Sequence, residues 1–280
     1  MAFNTPAQVA EAVTKMGKTK GKLPILQMIV LGIFAGAYIG FGAELCTMIL
    51  TGTAGKVGIG LAKFMGGAVF SVGLMLVVIG GAELFTGNNL MIVGMVSGKV
   101  TIKELLVNWF FVYLANFAGS MLLVYIMYQS NLWHTGADAN ATVALNIAAD
   151  KVNLGWGEAF FRGIGCNWLV CLAVWLAIAA KDVGGKILGI FFPIMAFVAS
   201  GFEHCIANMY FIPYGIFLKG DASLANVVAA MGPKADALTW NGFFVNNLIP
   251  VTLGNIVGGA IFVGLAYFIV FTQSCKDAEC

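Results

Sequence analysis

Two short stretches hold the residue types that could do chemistry. One is Ser200-Gly201-Phe202-Glu203-His204, followed by Asn208 and Pro213, and the other is Gly80-Gly81-Ala82-Glu83-Leu84-Phe85-Thr86-Gly87-Asn88-Asn89. An unperturbed histidine titrates near pH 6.5, and burial or a carboxylate neighbour moves it across the working range. His204 beside Glu203 could therefore exchange a proton with a weak acid. Neighbours on a continuous helix do not face each other, so direct pairing of these two needs a break in the backbone. A plainer reading makes His204 a hydrogen-bonded core residue and lets the Thr86 hydroxyl bond back to its own helix. Elsewhere the sequence offers no Cys or His cluster, phosphate loop or nucleophile-base pair, which points away from an enzyme and implies no metal and no cofactor.

The elements that must position these stretches are membrane spans. Sixty per cent of the 280 residues are apolar and 10% are charged, outside the range of soluble domains. Apolar windows of spanning length fall near 26 to 51, 64 to 97, 107 to 127, 157 to 180, 187 to 218 and 247 to 272. The expectation is one all-α transmembrane channel domain over 1–280, with 1–24 a cytoplasmic N-terminal segment and 273–280 a cytoplasmic tail. Lys15, Lys18, Lys20, Lys22, Lys99, Lys103, Lys181 and Lys186 collect on one side, against Lys56, Lys63, Lys151, Lys219 and Lys234 on the other. The positive-inside rule then makes both termini cytoplasmic. The net charge of +2 implies no nucleic-acid partner. Cys46, Cys166, Cys171 and Cys205 lie in apolar runs and read as small buried hydrophobes, while Cys275 and Cys280 sit in the tail. With only His134, in a loop, and His204, a haem cannot be held between two facing histidines of this chain.

Gly32, Gly36 and Gly40, and again Gly254 and Gly258, are spaced four apart, as close helix packing in lipid requires. The second and fifth windows are too long for one straight helix and carry the two polar stretches at their middles. Glycine and carboxylate at that depth predict broken helices, tolerated only where protein or a wet cavity satisfies the backbone. Three spans cannot return to the same side, so breaks at matching places in the two halves predict two inverted three-helix repeats around a central site. Glu44 is expected near the outer interface, and Arg162 to snorkel to its own.

The motifs resemble those of the formate/nitrite transporter family. They are Val78-Ile79-Gly80-Gly81-Ala82-Glu83-Leu84-Phe85-Thr86-Gly87, Gly163-Ile164-Gly165-Cys166-Asn167-Trp168-Leu169-Val170-Cys171-Leu172-Ala173 and Ala199-Ser200-Gly201-Phe202-Glu203-His204-Cys205-Ile206-Ala207-Asn208-Met209. Asn247-Leu248-Ile249-Pro250-Val251-Thr252-Leu253-Gly254-Asn255 extends the resemblance into the last span. It implies six helices with the second and fifth broken, an aquaporin-like protomer with its own pore, and a homopentamer in a bacterial or archaeal inner membrane. It also implies lipophilic constrictions at Phe70 and Leu74 toward the cytoplasm and at Leu84 and Phe197 toward the outside. Thr86 and His204 would line the chamber between them and Asn167 would face it. Lys151 would draw anions into the outer vestibule, Glu203 would modulate the histidine, and Asn208 would complete the pore set.

A small anion crossing a ring of Leu and Phe meets a desolvation cost whose idealised limit is of order 20 kcal/mol, and several kcal/mol in practice. Either a proton from His204 neutralises the anion, or positive potential at the centre holds it. The sequence thus predicts a pH-sensitive channel for formate, nitrite or hydrosulfide. The alternatives are a proton-coupled symporter of the same anions and an aquaporin-like pore for neutral solutes.

Overall fold

The computed structural model describes residues 3–273; Cys275 and Cys280 lie outside them. The first helix, α1 (Pro6–Gly21), starts where Thr5 accepts the Gln8 backbone N–H and Gln8 returns the bond, with Pro6 in the first turn where its missing donor costs nothing. Its apolar face, Val9, Ala10, Val13 and Gly17, is buried against the bundle. The N-terminal segment, for which the sequence predicts no structure of its own, therefore holds a packed amphipathic helix.

Then come α2 (Ile25–Leu50), α3 (Ile59–Gly80), the short α4 (Phe85–Val96) and α5 (Ile102–Gln129). The second half repeats this order: amphipathic α6 (Ala139–Val152), then α7 (Trp156–Ala179), α8 (Val183–Ser200), short α9 (Cys205–Lys219) and α10 (Gly242–Thr272). Six of these are long and apolar enough to cross a membrane. Large apolar side chains such as Leu26, Phe110, Phe161 and Leu188 point outward, as a lipid-facing surface requires and a water-facing one does not.

Within each half the long helices cross almost backbone to backbone. A Cβ added at Gly36 would sit 2.0 Å from the Asn116 carbonyl oxygen, and one at Gly254 would sit 2.1 Å from that of Phe160. The spaced glycines thus pack α2 on α5 and α7 on α10, because lipid supplies no hydrophobic drive and close van der Waals contact must hold the helices. The breaks fall where the sequence predicts. Gly81 and Gly201 close α3 and α8 with φ of 83° and 78°, a left-handed conformation that costs other residues about 1–2 kcal/mol. Pro213, which the sequence places at the close of the second interruption, lies inside α9, which runs from Cys205 to Lys219.

Candidate permeation site

His204 is the N-cap of α9. Its Nδ1 accepts the Ala207 backbone N–H at 3.1 Å, which makes Nδ1 the unprotonated nitrogen and leaves the hydrogen on Nε2. Nε2 lies 2.9 Å from the Thr86 hydroxyl, in the first turn of α4, and donates to it. The Thr86 proton is then free to turn toward whatever enters. Both side chains are buried.

Around this pair, Ile39, Phe70, Leu74, Leu84, Val170, Ile194 and Phe197 close to a void too narrow for a water molecule. A cavity of 170 Å³ opens on one side, its walls including Phe70, Phe197, His204, Lys63, Lys151 and Glu203. On the other side a cavity of 300 Å³ is walled by Leu74 and Leu84 with Lys20, Glu83, Asn88 and Lys186. Polar mouths thus stand on both sides of an apolar waist, and the histidine sits in the waist.

Behind each mouth lies the same set of bonds. Lys151 Nζ meets Glu203 Oε1 at 2.8 Å, and Asn208 donates to Glu203 Oε2 and to Asn247 Oδ1, both at 2.7 Å. In the first half Lys20 Nζ meets Glu83 Oε1 at 2.5 Å, and Asn88 donates to Glu83 Oε2 at 2.7 Å and to Asn108 Oδ1 at 2.8 Å. The backbones of the breaks are held in parallel fashion. Asn255 accepts from Cys205 N and donates to the carbonyls of Gly163 and Glu203; Asn116 accepts from Phe85 N and donates to those of Gly32 and Glu83. Backbone groups freed by a broken helix in lipid must find such partners.

This geometry corrects three expectations. Phe70 pairs with Phe197, rings edge to face at 5.7 Å, and Leu74 lines the opposite cavity with Leu84, so the first side draws on both halves of the chain and the second on the first half alone. Residues four apart on one helix face stack at successive levels along the axis and do not share a ring. Asn167 does not face the chamber, because its Nδ2 is spent on Asn89 Oδ1 and the carbonyls of Asn255 and Thr86. Glu203 turns to Lys151, Asn208 and Asn247, and Thr86 is the partner of His204. Glu44 is buried and accepts the Tyr210 hydroxyl at 2.6 Å. Cys46, Cys166, Cys171 and Cys205 are buried, as expected. Arg162 is half-buried, and its backbone carbonyl accepts the Glu203 N–H at 3.2 Å.

The sequence reading quoted Lys20, Glu83, Asn88, Asn247 and Asn255 without giving them a site role, and it passed over Asn108 and Asn116. The signal was present. Gly81-x-Glu83 with Asn88 five residues on recurs as Gly201-x-Glu203 with Asn208, and both asparagine pairs are eight apart.

Six apolar spans, two of them followed by a break and a short half-helix, with a buried histidine at the second break between two charged mouths, define a membrane transporter or channel. The chain belongs to the formate/nitrite transporter family, which it matches over residues 7–269. It is 48% identical to the probable formate transporter of Methanothermobacter thermautotrophicus, over 97% of this chain and 98% of that protein. It is 39% identical to the formate channel FocA of Escherichia coli (strain K12), over 96% and 94%. Among solved structures it is similar to a pentameric formate channel with formate bound, with a TM-score of 0.82 at 40% identity over 88% of this chain and 97% of that one. An FNT family ion channel gives 0.81 at 29% identity, over 94% and 98%. The family is one of transporters and channels and not of enzymes.

Proposed function

We propose that this chain is a channel for formate, or a weak-acid anion of similar size such as nitrite or hydrosulfide, with one pore in each protomer of a homopentamer. One observation carries the reading: His204, bonded to Thr86, stands in an apolar waist between two cavities that each hold a lysine. The names of the similar proteins favour formate, and the pentameric relative favours the assembly. The duplicated Lys–Glu–Asn sets support an inverted repeat in which α1 to α5 match α6 to α10. By the positive-inside rule the Lys20 mouth is cytoplasmic and the Lys151 mouth external, in a cell membrane.

An anion leaving either mouth must shed water to pass Phe70 and Phe197 or Leu74 and Leu84. The Thr86 hydroxyl, held by His204, offers it a hydrogen-bond donor there, and a proton taken up from the mouth would let it cross as the neutral acid. pH enters through His204. A second proton on the ring has only Nδ1 to occupy, where it would displace the Ala207 N–H and loosen the first turn of α9.

The test is flux of formate, nitrite and hydrosulfide into vesicles holding the purified protein, at several pH values, with and without a proton gradient. Saturable formate flux that runs down its own gradient supports the channel. Uptake strictly tied to the proton gradient replaces it with a symporter, and passage of glycerol without any anion replaces it with a neutral-solute pore. His204→Asn keeps a good helix cap but does not titrate; its flux is expected to lose pH dependence, and an unchanged pH profile would remove His204 from the gate.

A further inference from the structure

Helix α5 packs on α2 and α10 packs on α7, but α5 and α10 do not pack closely on each other along their length. The gap between them is an apolar cavity of 660 Å³. Leu106, Phe110 and Leu114 wall it on α5, and Phe244, Ile249 and Leu253 wall it on α10, all of them exposed on the outside of the chain. Its floor is formed by buried Phe85, at the start of α4, and buried Met209, in α9. The polar groups of the lining are already satisfied. The Tyr113 and Thr252 hydroxyls meet at 2.8 Å across the gap, and the Trp109 indole N–H donates to the Asn88 carbonyl at 3.0 Å. A space without free polar partners does not retain water, so hydrocarbon must fill it.

The groove is closed at one end and charged at the other. Phe117 shuts it against Phe244, rings edge to face with centres 6.1 Å apart. From Phe117 to Leu106 the axis of α5 rises about 16 Å, half the thickness of the hydrocarbon core and so the depth of one leaflet. Lys103 stands three residues before Leu106 on the same face of α5, exposed and, among the described residues, without an ion pair. Glu104 beside it is turned back to the helix start, where it accepts the Thr101 N–H at 2.7 Å.

We infer that this groove binds an anionic phospholipid, with one acyl chain between α5 and α10 and the headgroup on Lys103. The closed end and the length fit a single chain entering from the Lys103 side, and the ammonium at that entrance complements a headgroup of net negative charge. The chain would rest on Phe85, whose ring packs edge to face on Tyr113 at 4.8 Å and which directly precedes Thr86. A bound lipid therefore braces the turn that presents Thr86 to the waist. The inference does not depend on which solute the pore passes.

The experiment is native mass spectrometry of the purified full-length protein, titrated with phosphatidylglycerol and with phosphatidylcholine of the same chains. Phosphatidylglycerol is expected to bind about fivefold more tightly. Lys103→Gln should bring it to the phosphatidylcholine level. Leu114→Trp and Leu253→Trp, either of which fills the groove, should remove the most tightly held lipid of both kinds. Leu26→Trp, an outward position on α2 away from the groove, should leave both affinities unchanged. Absence of bound lipid, equal affinity for the two lipids, or the same loss in Leu26→Trp as in the groove variants overturns the inference. A disulfide between protomers carrying Leu114→Cys would put a second copy of the chain over the groove and overturn it as well. Formate flux is read separately, so a failure of the channel reading is distinguishable from a failure of this one.

Discussion

Thr86 and His204 stand 118 residues apart in the chain, yet Oγ1 and Nε2 meet at 2.9 Å, joining the half-helix of one broken span to that of the other. Because Nδ1 is held by the Ala207 N–H, the Thr86 hydroxyl is the one acceptor the imidazole N–H has among the described residues. Thr86→Val removes that acceptor with little change of shape. The buried N–H left behind should cost about 1–3 kcal/mol and lower anion flux, whereas Thr86→Ser should keep both. Thermal unfolding in detergent, read beside vesicle flux, would show it; equal behaviour of the two variants would mean that the bond carries no weight.

The ion pairs behind the mouths are buried, so removing one partner should do more harm than removing both. Glu203→Leu leaves Lys151 charged and unpaired and is expected to destabilise by about 3–5 kcal/mol. Lys151→Met with Glu203→Leu should recover much of that loss, and the same ordering should hold for Glu83 with Lys20. A double variant no more stable than the single one would contradict a pairing role.

Regrouping the constrictions gives a sharp comparison. Phe70 and Phe197 close one side of the waist, and Leu74 and Leu84 close the other. Opening both sides, as in Leu84→Ala with Phe197→Ala, should let larger monocarboxylates through. Opening one side twice, as in Phe70→Ala with Phe197→Ala, should not, because the leucines still close the path. Osmotic shrinkage of vesicles in graded carboxylates measures this, and equal leakage by the two double variants would return Phe70 and Leu74 to a single ring.

Gly81 and Gly201 end their helices at positive φ. Alanine at either should cost about 1–2 kcal/mol through backbone strain, and asparagine, which tolerates the left-handed region better, should cost less. At Gly201 the space for a Cβ is free apart from Lys63 Nζ at 3.9 Å, so a loss seen there reports conformation and not crowding. Denaturation of the purified variants would settle the order of Gly, Asn and Ala.

Much of the fold could be read from hydropathy and spacing. The length of each apolar run named the spans, the glycine and carboxylate at the middle of the second and fifth named the breaks, and Gly32, Gly36, Gly254 and Gly258 named the tight crossings. Helices α1 and α6 were not read, because short amphipathic helices bury only one face and give a weak signal in a hydropathy window. Asn167 was misread for a related reason: a polar residue in mid-span needs a partner, and whether that partner is a solute or another helix does not show in the chain.

By itself, then, the sequence determined the membrane, the six spans, the places where two of them break, and the histidine at the second break. These follow from local properties: transfer free energy summed over a window, the φ a glycine permits, and the cost of charge in hydrocarbon. The tertiary structure alone decided who meets whom. It set Thr86 against His204, Phe70 against Phe197, and Glu203 against Lys151 and not the histidine, and among the described residues it gave Lys63 and Lys186 no ion pair. The partners in each meeting lie far apart in the chain. Distances between them are fixed only once α3 and α8 pack against each other and both breaks close on one axis.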